Sequence, residues 1–539
     1  MTMQPANNGQ QPVYIMQKGT EQTNGSAAQR SNIQAAKAVG AAIKTTLGPL
    51  GMDKMLIDPT GNVLITNDGV SILREIGIEH PSAKMIVEVA KTQEAQCYDG
   101  TTSAVVLSGA LLEEAERLLD KSIHPTTICK GFRTARDFCI TELEGLSKIN
   151  SEMAYEYEDS LKSIAYLAAF SSITGKSAEG IQNKLATMAE EATLNANSIE
   201  DIHYTSASGT NEEDTYRLPG IVIERDLASG TMERQVENAK ILLLDCAIEP
   251  KKTNIDAQVQ ITNPAQVEEF LRQEEDAIRD MVELIHQSGA NVVLTQKKID
   301  DLALHYLKKH NISAVHSVKK SDLDSASRIG RGNIVSSLTN PIDDFDLAQC
   351  NFLVSGKFDH DLILLTTKGS PIQTIVACGA TKHVAEEVER ALEDCVGVAW
   401  LMKKNEGFLL GGGATQAYLY NALKKHCRPE GRVQMAVDAF ADALLQIPSA
   451  IAENAGLDPV DELLALCKNN ADGDYSYFID VDPQTKEHPH NAMKQGIVEP
   501  LALHVQALTS ATEAAIMILR IDDVIRMNPS PGGPPMPPM

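Results

Sequence analysis

What the sequence lacks narrows its chemistry first. Nine cysteines, at 97, 129, 139, 246, 350, 378, 395, 427 and 467, form no CxxC pair, so a zinc site is not expected. The count is odd and unclustered, which fits reduced thiols in a cytoplasmic protein. The 13 histidines include no HExxH, and no Ser-His-Asp or Cys-His signature stands out. No uninterrupted apolar run reaches the roughly 20 residues of a membrane span. The first residues show no basic stretch followed by an apolar core, so no secretory signal is expected. Basic residues are in deficit: 48 Lys and Arg against 73 Asp and Glu, a formal net charge of −25. Such a surface repels nucleic acid and anionic membrane, and neither is expected as a partner.

What is present is enough chain for several cores. At about 150 residues per domain, 539 residues suggest roughly three or four. Residues 1–25 are polar and read as a mobile arm, with "PVYIM" (12–16) able to add an edge strand. The end, from 528, is a Pro/Gly tail that cannot hold a helix. From Ser31 the pattern is helical, with Ile33, Ala36, Ile43 and Leu47 near one face and Gly48-Pro49 as the stop. "KMLIDPTGNVLIT" (54–66) reads as a hairpin around a type I turn at Asp58-Pro59-Thr60-Gly61, and Asn67-Asp68-Gly69 as another turn. Pro81 suits the first position of a further helix. In the middle, "AKILLLD" (239–245), "ANVVLTQ" (290–296) and "HDLILLTT" (360–367) read as short strands in an α/β region. Residues 249–260 read as an exposed arm leading into a long helix capped by Asn263 and closed by Gly289. Helix returns at 383–402, and a last helical run is expected over 507–527.

Three stretches could carry chemistry. In "YDGTTS" (98–103), Gly100 leaves room for a phosphate beside the backbone. The N–H groups opening the next helix offer partial positive charge, and Thr101, Thr102 and Ser103 add donors. Asp99 at the mouth of such a site suits Mg²⁺, which takes one or two carboxylates plus phosphate oxygens. The pattern is not GxxxxGK[ST], and an ordinary capped turn fits the same residues. "LLGGGATQ" (409–416) lets a backbone approach a ring or phosphate, or forms a tight corner. Asp394 sits mid-helix against propensity; it faces solvent or orients an attacking water.

Together, "TTLGPLGMDK" (45–54), "NDGVSIL" (67–73), "DGTTSAVV" (99–106), "SSITGKSAE" (171–179), "VERALEDC" (388–395), "GGGATQ" (411–416), "ENAGLDPVDEL" (453–463) and "GIVEPL" (496–501) resemble a group II chaperonin subunit. The likeness is to the archaeal thermosome type, related to the eukaryotic cytosolic chaperonin. It implies a multidomain chaperonin fold. A mostly α-helical equatorial ATPase domain would span 1–155 and 408–539. An α/β intermediate domain would span 156–223 and 377–407. An α/β apical client-binding domain would span 224–376, with a helical lid protrusion near 249–285.

The resemblance also implies the cofactors ATP and Mg²⁺, non-native client proteins, and like or related subunits stacked in a double ring. Thr45, Thr46, Leu47, Gly48, Pro49, Gly69, Gly100, Thr101, Thr102, Ser103, Gly412 and Glu499 would hold the nucleotide. Lys176 would sense the γ-phosphate, Asp99 would hold Mg²⁺, and Asp394 and Asp68 would position the hydrolytic water, Asp394 as main base. Four departures stand out: Tyr98 in place of glycine, Leu50 in place of a basic or polar residue, "VACGATKH" (376–383) without an arginine, and Gln416 in place of glutamate. The last two are expected to alter domain or subunit contacts. Two readings follow: an ATP-driven folding machine, or a ring subunit that binds clients or supports neighbours with little ATPase. Tyr98 favours the second if it must adopt φ > 0.

Overall fold

The computed structural model describes residues 21–57, 61, 63–155, 163–250, 264–355, 361–404, 407–481 and 490–526. Strand β1 (Glu21–Asn24) leads into helix α1 (Gly25–Lys44). Part of the expected mobile arm is therefore ordered strand. The hairpin is present: β2 (Lys54–Ile57) pairs antiparallel with β3 (Val63–Thr66). Most of its turn lies outside the described residues, as does "PVYIM". Asn67-Asp68-Gly69 opens a helix rather than a free turn. Asp68 caps α2 (Gly69–Glu75), its carboxylate accepting from the N–H groups of Val70 and Ser71. Then come α3 (Pro81–Cys97), which opens on Pro81 as expected, α4 (Thr101–Asp120) and α5 (Pro125–Tyr155).

Helices α6 (Ile164–Ile173) and α7 (Gln182–Asn195) precede strands β4 (Ile202–Ser208) and β5 (Tyr216–Leu218). The middle runs β6 (Gly220–Glu224), β7 (Gln235–Leu244), α8 (Pro264–Gln287), β8 (Val292–Thr295), α9 (Asp301–Lys309), β9 (Ser313–Val315), α10 (Lys320–Gly330), β10 (Ile334–Val335), β11 (Ala348–Ser355) and β12 (Leu362–Thr366). The three apolar runs noted in this region are β7, β8 and β12. The expected arm at 249–260 and the cap Asn263 lie almost wholly outside the described residues. The chain returns through β13 (Gln373–Gly379), α11 (Lys382–Lys403), β14 (Phe408–Leu410), α12 (Ala414–His426), α13 (Arg432–Leu444), α14 (Gln446–Asn454), α15 (Pro459–Ala471), α16 (Ala492–Gln495), β15 (Val498–Pro500), α17 (Leu501–Leu519) and β16 (Asp523–Arg526). The expected last helix stops at Leu519, because β16 pairs antiparallel with β1.

Three main cores organise these elements. Helices from both halves build the first: Ile33, Leu111 and Phe132 share it with Phe440, Leu508 and Ile518. Phe132 and Phe440 meet edge to face at 5.7 Å between centroids. The second surrounds a seven-stranded sheet of order β6-β12-β11-β7-β8-β9, with β10 beside β7. Parallel pairing joins β7 to β8, β8 to β9 and β10 to β7; the rest is antiparallel. The third packs α6, α7 and α11 on the sheet β4-β13-β5, through residues such as Leu185, Ile375, Leu392 and Val396. The stretches Arg432–Asn454 and Leu501–Leu519 are long and apolar enough to cross a membrane, but more than half of the most apolar window of each is buried inside the protein.

One ion pair ties the second core to the third. Arg328 on α10 reaches Asp201, which stands beside the first residue of β4 and is 1% exposed. Removing the arginine leaves a buried carboxylate with only its backbone bond to the Ser198 N–H. A fully buried pair loses about 3–5 kcal/mol on such truncation. Arg328 itself is half exposed and solvent-screened, so Arg328→Ala is expected to cost about 1–3 kcal/mol, read as a lower urea midpoint. An unchanged midpoint would show that the Ser198 bond suffices.

Candidate functional site

A cavity of about 700 Å³ opens where loops from both halves of the chain converge. Its first wall is the exit of α1. That loop is pinned by Asn454, whose side-chain amide donates to the carbonyls of Lys44 (3.0 Å) and Leu47 (2.7 Å). Asn67 likewise donates to the Gly175 carbonyl at 2.6 Å, tying the loop before α2 to the loop after α6. Thr46, Leu47, Gly48 and Pro49 line the cavity. Thr45 does not. It is exposed, and its carbonyl instead accepts from the Met52 N–H at 2.9 Å.

The second wall is the start of α4. Gly100 precedes the helix at φ 76° and supplies no capping side chain. The opening N–H groups of a 20-residue helix are thus left to whatever the cavity holds. Thr101, Thr102, Ser103 and Gly69 line the same space. The Thr101 hydroxyl donates to Asp68 Oδ1 at 3.4 Å.

Charge converges on Lys176. Its Nζ lies 2.5 Å from Asp394 Oδ2 and 3.8 Å from Asp99 Oδ1. Burial pulls the lysine down, but Asp394, Asp99 and Asp68 outweigh it and hold the ammonium above its ordinary range. Burial pushes Asp394 up to about 7, with Asp99 and Asp68 adding to the rise and Lys176 opposing it. Burial also raises Asp99, against Lys176 and a backbone bond from Gly100. Asp394 thus faces inward, while its neighbour Glu393 is exposed. Glu499 and Gly412 complete the lining. Beneath them Glu499 Oε2 stands 2.6 Å from Nε2 of the buried His504.

The pattern of the TCP-1/cpn60 chaperonin family matches residues 39–529. The chain belongs to the TCP-1/cpn60 chaperonin family. Among similar proteins are a thermosome subunit of Methanopyrus kandleri, 44% identical over 96% of this chain and 95% of its own. Another from Methanocaldococcus jannaschii is 43% identical over 95% of both chains. Thermosome subunit alpha of Archaeoglobus fulgidus is 43% identical over 95% and 94%. These relatives place the chain among group II chaperonins.

In this chaperonin the residues fit a metal-bound polyphosphate. Three carboxylates, Asp68, Asp99 and Asp394, face a single nearby lysine, which leaves net negative charge for a divalent cation to offset. Among the described residues no group of three such side chains could hold a metal alone.

Some of the departures lie at the cavity. Gln416 is buried in the cavity wall, and its Oε1 has no hydrogen-bond partner among the described residues. Tyr98 does take a positive φ, 61°, a strain of about 1 kcal/mol or more. Its ring lies on α11 at Gly397 and edges the cavity. Sequence reasoning missed Phe478, Asp480 and Gln495, which also line it; Gln495 donates to Asp480 at 3.1 Å. Phe478 and Asp480 share one short stretch and Gln495 comes from the next helix, and no glycine or hydroxyl pattern marks either.

Proposed function

We propose that this chaperonin subunit binds Mg-ATP in the cavity and hydrolyses it. The cycle drives a built-in lid, near 249–285, to close over non-native client proteins inside a stacked double ring of like or related subunits in the cytoplasm. In this reading 1–155 and 408–539 form the equatorial ATPase domain, 156–223 and 377–407 the intermediate domain, and 224–376 the apical domain. The observation that carries it is the uncapped start of α4 facing the Asp394–Lys176–Asp99 cluster across one cavity. Such a helix start takes phosphates.

Each group then has a task. Asp99 holds the metal, which supplies positive charge against the phosphates. Asp68, with both oxygens engaged by backbone N–H groups, is a fixed acceptor that orients water. Asp394, raised toward neutrality, takes the proton from water as its oxygen attacks the terminal phosphorus. The bond to the bridging oxygen breaks and ADP leaves. Lys176 exchanges its carboxylate partner for the terminal phosphate on binding, and returns to Asp394 after cleavage. The test is phosphate release by the purified protein with and without Mg²⁺, beside electron microscopy with and without ATP. Mg-dependent turnover with rings that close is expected. Rings that hydrolyse nothing and look the same with ATP would overturn the reading.

A further inference from the structure

One side chain joins the end of α3 to α11. Tyr98 closes α3 in the left-handed region, φ 61° and ψ −12°, with its N–H still bonded to the Glu94 carbonyl at 2.9 Å. Opposite it, Gly397 is a notch in α11. A β-carbon there would stand 2.1 Å from Tyr98 Cγ, 2.5 Å from Cβ and 2.6 Å from Cδ1. The tyrosine occupies space that any other residue at 397 would need. Leu401, one turn further along α11, forms a small apolar cluster with Cys97 and Leu503, and Tyr98 packs against it. An unfavourable backbone conformation and a mid-helix glycine therefore face each other as one fitted contact.

The position of this contact gives it a consequence. Asp99, facing Lys176, follows Tyr98 directly in the chain. Asp394 precedes Gly397 by three residues, which puts the two on adjacent turns of one face of α11. The ring thus links the loop that carries one reacting-site carboxylate to the helix that carries the other.

We propose that Tyr98 is a positioning residue: seated at Gly397, it fixes α11 against the Asp99 loop and so sets where Asp394 stands in the cavity. It touches no reacting atom. The proposal rests on the ATPase reading above. It treats the tyrosine as a support for turnover rather than an obstacle to it.

The test is a double-mutant cycle on the full-length assembled protein, with kcat and KM for ATP measured separately. Tyr98→Gly suits the left-handed backbone and removes only the ring; Gly397→Ala expels the ring while keeping it in the chain. Each is expected to lower kcat roughly 10- to 100-fold with KM unchanged. Tyr98→Phe, which keeps the ring, is expected to match the unmodified protein. The double variant Tyr98→Gly with Gly397→Ala is expected to be no worse than Tyr98→Gly, since the new methyl enters an emptied notch. Trp400, the single tryptophan, lies on α11 three residues past Gly397. Its emission without nucleotide is expected to shift in both single variants and not in Tyr98→Phe. This signal separates two failures: a protein without ATPase overturns the proposed function, while Trp400 still reports on the contact. Unchanged kcat in either single variant, losses that multiply in the double variant, or an effect on KM alone would overturn the proposal, as would Trp400 emission that ignores both substitutions.

Discussion

Asp394→Ala is expected to lower ATP turnover by about 10²- to 10⁴-fold, the usual contribution of a positioned general base, while nucleotide binding persists. Asp394 lies against Lys176 and away from the backbone donors that open α4. The pH dependence follows from its environment. Burial lifts the carboxyl to about 7, and a base must be ionised. So kcat/KM should rise with pH to a plateau above about 7 and fall about tenfold per unit below it. In Asp394→Asn the residual rate should lose this titration. Because the folded value lies above the ordinary carboxylate value, near about 4, the stability it contributes is full below about pH 4. That contribution is lost as pH rises through about 7. Stopped-flow phosphate release across pH 5.5–8.5, in buffers of about constant ionic strength, measures the profile. Equal turnover of Asp394→Ala and the unmodified protein would sink the assignment.

Lys176→Met is expected to harm both turnover and folding. It removes the ammonium that faces Asp394, Asp99 and Asp68, all near the cavity wall. Lys176 and its two ion-pair partners are each less than one-third exposed, so screening is limited. Breaking a buried pair from one side costs about 3–5 kcal/mol. The loss should be larger at pH 8 than at pH 6, because Asp394, already lifted to about 7, rises further without the lysine and is largely protonated at the lower pH. Mg²⁺ should restore part of it by binding the vacated carboxylates. Thermal unfolding with and without Mg²⁺ at the two pH values measures all three effects. A variant that melts with the unmodified protein at both would show that Lys176 contributes nothing to holding the cluster.

Much of this was legible in the sequence, for identifiable reasons. Helical spacing marked α1, Pro81 marked the start of α3, and compact apolar runs marked β7, β8 and β12, because each signal is local. The cavity-lining residues at the start of α4 were legible for the same reason: a glycine and hydroxyls at a helix start are contiguous. What failed was pairing at a distance. Asp394 and Lys176 are 218 residues apart, so nothing local says that the aspartate turns inward. "IDDVIR" continues a helical pattern on paper, and only β1, at the other end of the chain, makes Asp523–Arg526 a strand. Thr45 and Thr46 look equivalent in a row, yet only Thr46 turns toward the cavity. Gly397 carried an unread signal. A glycine inside an otherwise regular helix is unfavourable by about 1 kcal/mol against alanine, and close approach by another group is what compensates it.

The first core has a further consequence, in the time the protein takes to be made. Its walls come from α1 to α5 and from α13 and α17, so its early helices leave the ribosome long before their partners exist. At about 5–20 residues per second, α17 follows α5 by tens of seconds. In that interval Ile33, Leu111 and Phe132 lack the partners that α13 and α17 bring, while the seven-stranded sheet, contiguous in sequence, can already close. A subunit of a folding machine is thus born with its own largest apolar surface exposed. Its yield should depend on how well the cell shelters that surface until the last helix arrives.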